Sequence, residues 1–533
     1  MKRIASTFVL LLLVCSVVCF SQVEVAHAEP NIYIRGDGTV DGTVNIERTG
    51  DYYRLTGNIT GPLDVEKDNI VIDGAGYTLF GNSNFGVQLD YRKNVTVQNL
   101  VLKDTYRCFH LMYGDNNTLV GNTIINTERA FYLWFARGNN ISTNTISQAG
   151  YAFDFFKSPN MGSTGNVVAE NNVVSSGIGI SLMESNNTFL NNTINSSTIG
   201  VSISGSQNLF RNNTITCSGF GIKDSDFNND IDESNIVNGK PVIYWRNQQD
   251  KTVPSYTGHV ILYMCENITV KNLQLTGVYV SSSTGCLIAG NIITNGDYGV
   301  QLNRSSGNTV SGNFVSGNNF GLYVYECEEN LVVGNNFCNS TYYGVLLKNS
   351  NYNTLKQNNV ENNGFGDTPP YIPYETYTGD VFGVKIFDSS NNLFVENNVI
   401  GNNQFGIRVL GYQHDNKIYR NNFIDNKVGD HLQVSMLGSS HNQLPNASIW
   451  DNGTSGNYWS DYQTRYPNAT EIADSGIGDT PFYINENNID NYPLLNPVEI
   501  EVVPEFPSWI LLPLLLTAAT ASLLYRKKLK PQT

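Results

Sequence analysis

The octet NTLVGNTI, residues 117–124, decides the fold, because close variants of it return about every 22 residues through most of the chain. Each copy reads Asn, any residue, an apolar residue, two more residues, a second Asn, one residue and another apolar residue, except that one copy begins with Cys286. The second Asn of successive copies lies at Asn99, Asn122, Asn144, Asn171, Asn192, Asn213, Asn272, Asn291, Asn313, Asn335, Asn358, Asn397 and Asn421. A short repeat whose apolar residues alternate, with no helical periodicity, is typical of a β-solenoid.

The recurring Asn favours a parallel β-helix, an all-β fold in which each repeat forms one coil. Asn tolerates the left-handed backbone that sharp turns need, and Asn side chains stacked about 4.8 Å apart can hydrogen-bond along the stack. A second row of triplets, such as Ile178–Ile180 and Phe320–Leu322, reads apolar, Gly, apolar and predicts one more strand per coil. We expect the apolar residues of this strand to face the interior, and about 14 coils in all.

The spacing of the copies also divides the chain. We expect opening strands and first coils at 29–93, followed by the repeat region at 94–445. Longer intervals predict insertions near 216–260 and 364–380, and insertions in solenoids often shape a binding surface. Residues 446–497 lose the repeat and are expected to cap the open end of the interior.

The N-terminus and the composition indicate export. Residues 1–28 combine Lys2 and Arg3, an apolar run and an Ala26-His27-Ala28 ending, which predicts a signal peptide cleaved after Ala28. The alternative is an uncleaved anchor, for which the apolar run is short. The net charge of −15 argues against nucleic acid or an anionic membrane surface as partner. Asn-x-Ser/Thr sequons are compatible with a surface glycoprotein.

The C-terminus predicts attachment to the cell envelope. A linker, 498–508, contains Pro-Glu-Phe at 504–506; the apolar stretch 509–525 is just long enough for a transmembrane helix, and the basic tail 526–533 would stay in the cytoplasm. This arrangement resembles the sorting signals of archaeal surface proteins. The resemblance implies cleavage by an archaeosortase-like membrane enzyme, whereas the alternative is a permanent anchor. Both alternatives place the repeats outside the cell.

Six further stretches resemble one family. They are DNIVIDGAGYTLFG (68–81), VNGKPVIYW (237–245), CENITVKNLQL (265–275), GNYWSDY (456–462), GIGDTPFYI (476–484) and DNYPLL (490–495). In this order they resemble the NosD-like β-helix family of periplasmic copper-binding proteins, with its carbohydrate-binding and sugar-hydrolysis repeats, over roughly residues 31–497. The resemblance implies an exported, right-handed, single-stranded parallel β-helix. It implies no single activity, although the namesake assists copper-site maturation in nitrous oxide reductase.

The sequence offers few soft ligands for copper. Copper delivery favours clusters of Met, Cys or His, and the chain has no tract rich in Met or His. The cysteines left after signal removal show neither a metal-binding spacing nor a disulfide framework, although some could pair between adjacent coils. The remaining histidines are His110, His259, His414, His431 and His441.

One outward row of the predicted strand combines an acid with aromatic residues. Aligned on Val87, successive coils place outward Gln88, His110, Tyr132, Asp154, Ser181, Ser202 and Lys223. Two residues further along, Trp134 and Phe156 also point outward. Aromatic faces suit sugar rings, and Asp and His bond hydroxyls, so we expect His110, Tyr132, Trp134, Asp154 and Phe156 to form a ligand-binding patch. Asp154 is the candidate for a catalytic acid. Alternatively, these are ordinary solvent-facing or loop-covered side chains.

Two acidic segments are candidate Ca²⁺ sites. Asp224, Asp226 and Asn228 alternate as in a calcium loop, but the turn Gly and the closing Glu are missing. Asp474 and Asp479 flank glycines in the loop before the last strands. Solvated acidic turns explain both segments equally well.

The sequence therefore predicts an exported, envelope-anchored repeat protein that binds extracellular polysaccharide or envelope glycans and is non-catalytic. The alternative is a polysaccharide lyase or hydrolase, although the Asn-Thr-Asp, Asp-Asp, Arg-x-Lys and Asp-Pro-His-Glu signatures of such β-helix enzymes are missing. A copper-site assembly protein is the second alternative.

Overall fold

The computed structural model describes residues 31–82, 85–156, 162–195, 198–222, 228–366, 381–412, 414–426, 433–437 and 447–500. The chain forms a right-handed parallel β-solenoid of about 16 turns. This exceeds the expected number because stretches without the Asn motif, such as 228–237, also fold as coils. The predicted signal peptide (1–28), residues 501–508 of the linker, the apolar stretch 509–525 and the basic tail lie outside the described residues.

The largest sheet, called the main sheet, has 24 strands and runs through the whole solenoid. Its strands up to the hairpin at Asn238 are Ile32–Ile34, Val40–Asp41, Ile59–Thr60, Leu63–Val65, Thr78–Phe80, Phe85–Gln88, Val101–Met112, Thr123–Trp134, Thr145–Phe155, Asn172–Leu182, Thr193–Ile194, Ile199–Ile203, Thr214–Ile215, Phe220–Ile222 and Ile236–Val237. After the hairpin they are Lys240–Arg246, His259–Tyr263, Val278–Ser281, Tyr298–Asn303, Phe320–Tyr325, Tyr343–Lys348, Phe382–Phe387, Phe405–Leu410 and Val434–Leu437.

Three side sheets complete the coils. Side sheet 1 consists of Ile46–Thr49, Tyr52–Leu55, Val71–Asp73, Thr96–Gln98, Thr118–Val120, Asn140–Ser142, Val167–Ala169, Thr188–Leu190, Leu209–Arg211 and Asp230–Ile231. Side sheet 2 consists of Thr269–Lys271, Leu287–Ala289, Thr309–Ser311, Leu331–Val333, Thr354–Lys356, Leu393–Val395 and Lys417–Tyr419. Side sheet 3 consists of Gln274–Leu275, Ile292–Thr294, Phe314–Ser316, Asn336–Cys338, Asn359–Glu361, Asn398–Ile400, Asn422–Ile424 and Tyr458–Trp459.

The predicted Asn ladder is present and fully hydrogen-bonded. Asn144 is representative: its Oδ1 accepts from the backbone N–H of Asn122 at 2.9 Å and from the Asn122 Nδ2 at 3.0 Å. Its own Nδ2 donates to the Leu119 carbonyl at 2.9 Å and to the Asn171 Oδ1 at 3.0 Å. The ladder residues are buried, so each amide satisfies polar groups that water cannot reach.

The sequence predicted a left-handed backbone at the ladder Asn residues themselves, and this prediction was wrong. The left-handed residue is the one before the ladder Asn, for example Gly121 (φ 65°) before Asn122 and Asn191 (φ 54°) before Asn192. Asn99 and Asn272, which the motif counts as rungs, are such left-handed turn residues. The residues in ladder register are Leu100 and Leu273, whose N–H groups donate to the first true rungs of their stacks.

A third ladder was not predicted. In the C-terminal coils the N–H of Gly296 donates to Asn318 Oδ1 at 2.8 Å, and the N–H of Ser340 donates to Asn363 Oδ1 at 2.9 Å. Asn363 in turn donates to Asn402, and Asn402 to Asn426. The signal was an Asn five residues after the second Asn of several copies.

The chain between 216 and 260 is mostly regular rather than an insertion. Asn229 and Asn235 continue both ladders of the preceding coils, and Asp230–Ile231 is the last strand of side sheet 1. Ile236–Val237 then pairs antiparallel with the start of Lys240–Arg246. We call the coils before this hairpin the N-terminal stack and those after it the C-terminal stack.

The two stacks meet through the outer face of the main sheet. The interior of the C-terminal stack forms one apolar core with Val260, Val278 and Val300. The core of the N-terminal stack continues instead onto Ile261 and Tyr279, the residues on the opposite face of those strands. His259 lies at this contact, with Nε2 2.9 Å from the carbonyl of Phe220.

The C-terminal end of the core is closed by aromatic residues. Trp459 stacks on Phe423 at 4.6 Å and on Phe482 at 4.2 Å between ring centroids. Trp450 donates from Nε1 to Asn488 Oδ1 at 3.0 Å. A short helix, Tyr462–Arg465, and the antiparallel pair Phe482–Asn485 and Asn488–Asp490 complete this region.

Candidate functional site

The outward row forms on the N-terminal stack. His110 pairs in register with Tyr132, Tyr132 with Asp154, and Asp154 with Ser181. Ser202 then pairs with Gly221, so Gly221 rather than Lys223 takes the next register position. The three central side chains are more buried than expected: His110 is 7% exposed, Tyr132 6% and Asp154 3%.

The first residue of the triplet faces outward in the coils of Phe85 and Tyr298, where the sequence predicted it inside, whereas Phe220 pairs in register with the inward Val201. Phe85 lies 5.1 Å from His110 between ring centroids, and Tyr298 lies 5.4 Å from Tyr323 on the outer face of the C-terminal stack. The glycine faces the interior instead: a Cβ at Gly299 would lie 2.4 Å from Val315 Cγ1. The close approach of the two sheets therefore explains the recurring Gly.

This reversal brings two arginines into the site that the sequence reading missed. Arg107 and Arg129 stand three residues before His110 and Tyr132, at the position that Phe85 occupies in the preceding coil. The signal was their place at the first position of the triplet, next to the small residues Cys108 and Ala130.

The ring of His110 lies between the carboxylate of Asp90 and the guanidinium of Arg107. Its Nδ1 lies 2.9 Å from Asp90 Oδ1, and its Nε2 lies 3.1 Å from Arg107 Nη1. Because a guanidinium only donates, Nε2 is the acceptor and the proton is assigned to Nδ1, facing Asp90. Asp90 is fixed in turn by the backbone N–H of Met112, which donates to it at 3.0 Å.

The ring of Tyr132 is largely covered. His110 stacks beside it at 5.3 Å between ring centroids, and the guanidinium carbon of Arg107 lies 4.0 Å from its centroid. Phe156 lies 6.0 Å away on the following coil. Tyr132 therefore positions its neighbours and does not present an open face to a sugar ring.

Asp154 is paired with Arg129. The Arg129 Nε donates to Asp154 Oδ2 at 2.7 Å, and its Nη1 donates to the Tyr106 hydroxyl at 3.1 Å. Burial raises the pKa of Asp154, against the opposing effects of Arg129 and of a hydrogen bond from Ser181. The pairing with Arg129, which opposes the effect of burial, makes Asp154 an internal counter-ion of the site.

Aromatic residues form the accessible rim. Phe156 is 43% exposed and Trp134 is partly exposed, in register with Met112. On the opposite side, Tyr106 is exposed next to Arg129. We call Arg107, Arg129, His110, Asp154 and these three rim aromatics the polar strip.

A second group of buried cations lies on the outer face of the C-terminal stack. Lys385 pairs in register with Arg408, and Lys348 with Phe387. The Lys385 ammonium lies 5.1 Å from the ring centroid of Tyr343, and the Arg408 guanidinium 4.9 Å from that of Phe382. Sequence reasoning missed this group as well, because it assigned the aromatic residues of the triplets to the interior.

The candidate calcium residues use their oxygens within the protein. Asp479 accepts from the backbone N–H and the hydroxyl of Thr470, which lowers its pKa, and Asn228 accepts from Arg246 at 2.7 Å. Asp474 is an exposed left-handed residue, and Asp224 and Asp226 lie outside the described residues. Across the described ranges no group of three His, Cys, Asp or Glu is placed to hold a metal ion.

The donors available for copper are dispersed in the described part of the chain. The six cysteines of the described ranges are not joined in disulfides, and burial raises the pKa of Cys108 and Cys327 to about 12 and that of Cys286 to about 11. Protonated thiols inside the solenoid are poor ligands. His259 is sealed in the core, and His414 stands beside Asp415. These residues do not fit a copper centre; His431 and His441 lie outside the described residues.

No helix in the described ranges has the length and the apolar character of a membrane span. The proposed span at 509–525 lies outside those ranges.

The chain was compared with curated protein sequences, solved structures and protein families. No curated protein sequence matches it. Solved structures that it resembles include the periplasmic alginate epimerase AlgG, at 10% identity and a TM-score of 0.24 over 76% of this chain and 80% of that chain. Another is the A-module of mannuronan C-5 epimerase AlgE4 of Azotobacter vinelandii, at 12% identity and a TM-score of 0.20 over 65% of this chain and 84% of that chain. A third is the catalytic domain of a GH87 α-1,3-glucanase, at 13% identity and a TM-score of 0.23 over 63% and 54%.

The family comparison is decisive, because it spans both stacks. The model of the periplasmic copper-binding protein family NosD matches residues 56–181 and 243–464, which is more than half of the chain. These ranges contain the polar strip, nearly all of the main sheet of the C-terminal stack and the start of the cap. The chain therefore belongs to the NosD family of periplasmic copper-binding proteins.

Proposed function

We propose that this chain is an exported, envelope-anchored protein that binds an acidic polysaccharide along the polar strip without cleaving it. Membership of a periplasmic family and the signal-like N-terminus support export. The apolar stretch at 509–525 and the basic tail support anchoring.

The observation that carries the proposal is that Arg107 has no carboxylate partner among the described residues. Within the described residues no carboxylate forms an ion pair with it, and no acceptor reaches its buried Nε. It bonds instead to Nε2 of His110 and lies against the Tyr132 ring. A guanidinium held flat in this way is prepared for a carboxylate, which it can bind through two parallel hydrogen bonds.

Arg129, unlike Arg107, is paired with a carboxylate. Its charge is balanced by Asp154 at 2.7 Å, so it contributes order to the site more than attraction for a ligand. The positive charge available to a uronate group is therefore concentrated at Arg107. Because the whole chain carries a net charge of −15, this local positive site would select where an acidic glycan binds.

The rim supplies surface for the sugar rings. Trp134 and Phe156 lie on neighbouring coils on one side, and Tyr106 lies on the other. Aromatic faces pack on the apolar face of a pyranose, while the charged centre fixes its carboxylate. A chain running along the solenoid would meet both features in succession.

One observation favours a second candidate function, a polysaccharide lyase or hydrolase. Burial raises the pKa of Asp154, and raised carboxyl pKa values are typical of general acids. Against it, Asp154 is 3% exposed and bound to Arg129, so the proton would have to cross the ion pair to reach a substrate.

The test is binding of the full-length chain to alginate and to polygalacturonate, with dextran as the neutral polymer. We expect retention on the acidic polymers only, weakening as salt rises. Arg107→Gln should weaken binding about tenfold or more, because it removes a charge-assisted pair of hydrogen bonds. The matched control is Arg54→Gln, an exposed arginine on side sheet 1.

Two further variants separate binding from catalysis. Trp134→Ala should weaken binding through the lost ring face, whereas Asp154→Asn should not weaken it, because it leaves the charge of Arg129 unbalanced. Equal retention of dextran and alginate, or full binding by Arg107→Gln, would rule the proposal out. New reducing or unsaturated ends that vanish in Asp154→Asn would establish the enzyme instead.

A further inference from the structure

A cavity of about 660 Å³ opens where the two stacks meet, away from the polar strip. One wall is the last coil of the N-terminal stack, with Val237 and Asn238, and the other is the outer face of side sheet 3. Asn238 joins the walls, since its Nδ2 donates to the Cys217 carbonyl and to the Thr276 hydroxyl, both at 2.9 Å. Lys240 adds a bond from Nζ to the Gln274 carbonyl at 3.2 Å. The cavity is therefore preformed.

The floor of the cavity is apolar, although the register positions that follow it on side sheet 3 are asparagines. Ile292 and Phe314 are register partners on the outer face of side sheet 3, and both line the cavity. Beyond it, the row continues as Asn336, Asn359 and Asn398. The change from Asn to an aliphatic and an aromatic residue coincides with the cavity, which indicates an apolar contact made there.

The rim of the cavity carries amides that the turn does not need. Asn295, Asn339 and Asn362 line it, in left-handed turns with φ of 60°, 53° and 52°. Gly317 occupies the same turn in the intervening coil, with φ of 66°. Because Gly satisfies the backbone there, the turn itself does not require the Asn side chains, which can donate and accept hydrogen bonds at the rim; Asn339 also donates from Nδ2 to the Ser316 hydroxyl at 3.4 Å.

The charges around the cavity balance. Lys240 and Glu361 are the charged side chains that line it among the described residues. The Lys240 ammonium is already bonded to a backbone carbonyl. A strongly charged ligand would find no excess of opposite charge here, in contrast to the situation at Arg107.

We propose that this cavity is a second binding site, for an uncharged saccharide of one to three sugar units. A pyranose has an apolar face for Phe314 and Ile292 and a circle of hydroxyls for the amide rim. The volume lies in the range of about 300–1,000 Å³ that small-molecule sites occupy. This site does not depend on the polar strip or on the function proposed for it.

The experiment is ligand-observed NMR on the full-length chain with a panel of neutral glucose, mannose and N-acetylglucosamine disaccharides and trisaccharides. We expect one class to bind, and Phe314→Ala to weaken its Kd about tenfold. Tyr352→Ala, which removes an exposed ring elsewhere on the C-terminal stack, should leave the Kd unchanged.

A second variant keeps the test decisive if Phe314→Ala unfolds. Asn295→Gly combined with Asn339→Gly preserves the left-handed turns, removes two rim amides and should weaken binding several-fold. The proposal is overturned if no member of the panel binds at millimolar concentration, or if binding survives both cavity variants. Loss of neutral-saccharide binding in Arg107→Gln would also overturn it, because the ligand would then occupy the polar strip.

Discussion

At the scale of single residues, the asparagines divide into two roles that the one-letter code does not distinguish. Asn192 is buried and makes five hydrogen bonds to neighbouring coils, whereas Asn191 beside it is exposed and serves only as a left-handed turn residue. At Asn192 the hydrogen bonds of the side chain stabilise the fold. At Asn191 the residue matters because it adopts the left-handed backbone conformation. This is why Asn99 and Asn272 could be mistaken for rungs.

The pair provides a matched test. Asn192→Leu should lower the free energy of unfolding by about 1–3 kcal/mol, because the N–H groups that its side chain satisfies stay buried without partners. Asn191→Gly should change it by about 0.5 kcal/mol at most, since Gly accepts the left-handed turn. Urea unfolding of both variants measures the difference. Equal stability of the two would show that the ladder amides are not needed to satisfy those groups.

The candidate site was predictable in part, for a related reason. Register alone places His110, Tyr132 and Asp154 together, because strands of a parallel coil stack at a fixed residue spacing. The arginines were not predictable from alternation, since the small inward-facing residues after them, Cys108 and Ala130, shift the arginines to the outside. Local close packing, which no simple period describes, decided the chemistry of the strip.

At the scale of elements, the junction between the stacks was visible only as a long interval. The sequence shows an interruption after Asn213, but not that the chain turns back at Asn238-Gly239 and begins a second stack. The reversal depends on two residues with positive φ, 48° and 83°, and on burial of Val242 and His259 against the last coil. Such contacts are long-range and leave no periodic signal.

His259 makes this junction sensitive to acid. Burial lowers its pKa from 6.5 to about 4, against a hydrogen bond to the Phe220 carbonyl that raises it. The unfolded chain therefore takes up the proton first as the pH falls. The stability that depends on neutral His259 is complete above about pH 6.5 and is lost progressively towards pH 4, by about 3 kcal/mol at most.

The prediction concerns the slope of stability with pH. His259→Gln keeps a donor for the Phe220 carbonyl but does not titrate, so its free energy of unfolding should fall less steeply between pH 6.5 and 4 than that of the wild type. Urea unfolding at several pH values in this window measures both slopes. Parallel slopes would mean that acid acts elsewhere in the molecule.

At the scale of the whole molecule, the fold followed from the repeat, whereas the function does not follow from the fold. A solenoid needs contacts only between neighbouring coils, so a local motif repeated along the chain determines the architecture. The two proposed ligand sites arise where the repeat is locally broken, at charged positions of one row and at the junction of the stacks. The sequence repeat shows that these positions depart from the pattern, but it does not predict how their side chains are arranged.

The position of the molecule in the cell is the remaining question at this scale, and it depends on residues 504–533, outside the described ranges. The stretch 509–525 is apolar over seventeen residues and is followed by Arg526, Lys527, Lys528 and Lys530, which would remain on the cytoplasmic side. Deletion of 504–533 should therefore release the protein into the medium, as measured by immunoblotting of cells and medium. In the intact chain, mass spectrometry of the C-terminus distinguishes a cleaved sorting signal from a retained anchor. Protein that stays on the cells after the deletion would contradict both alternatives and point to attachment through the solenoid surface.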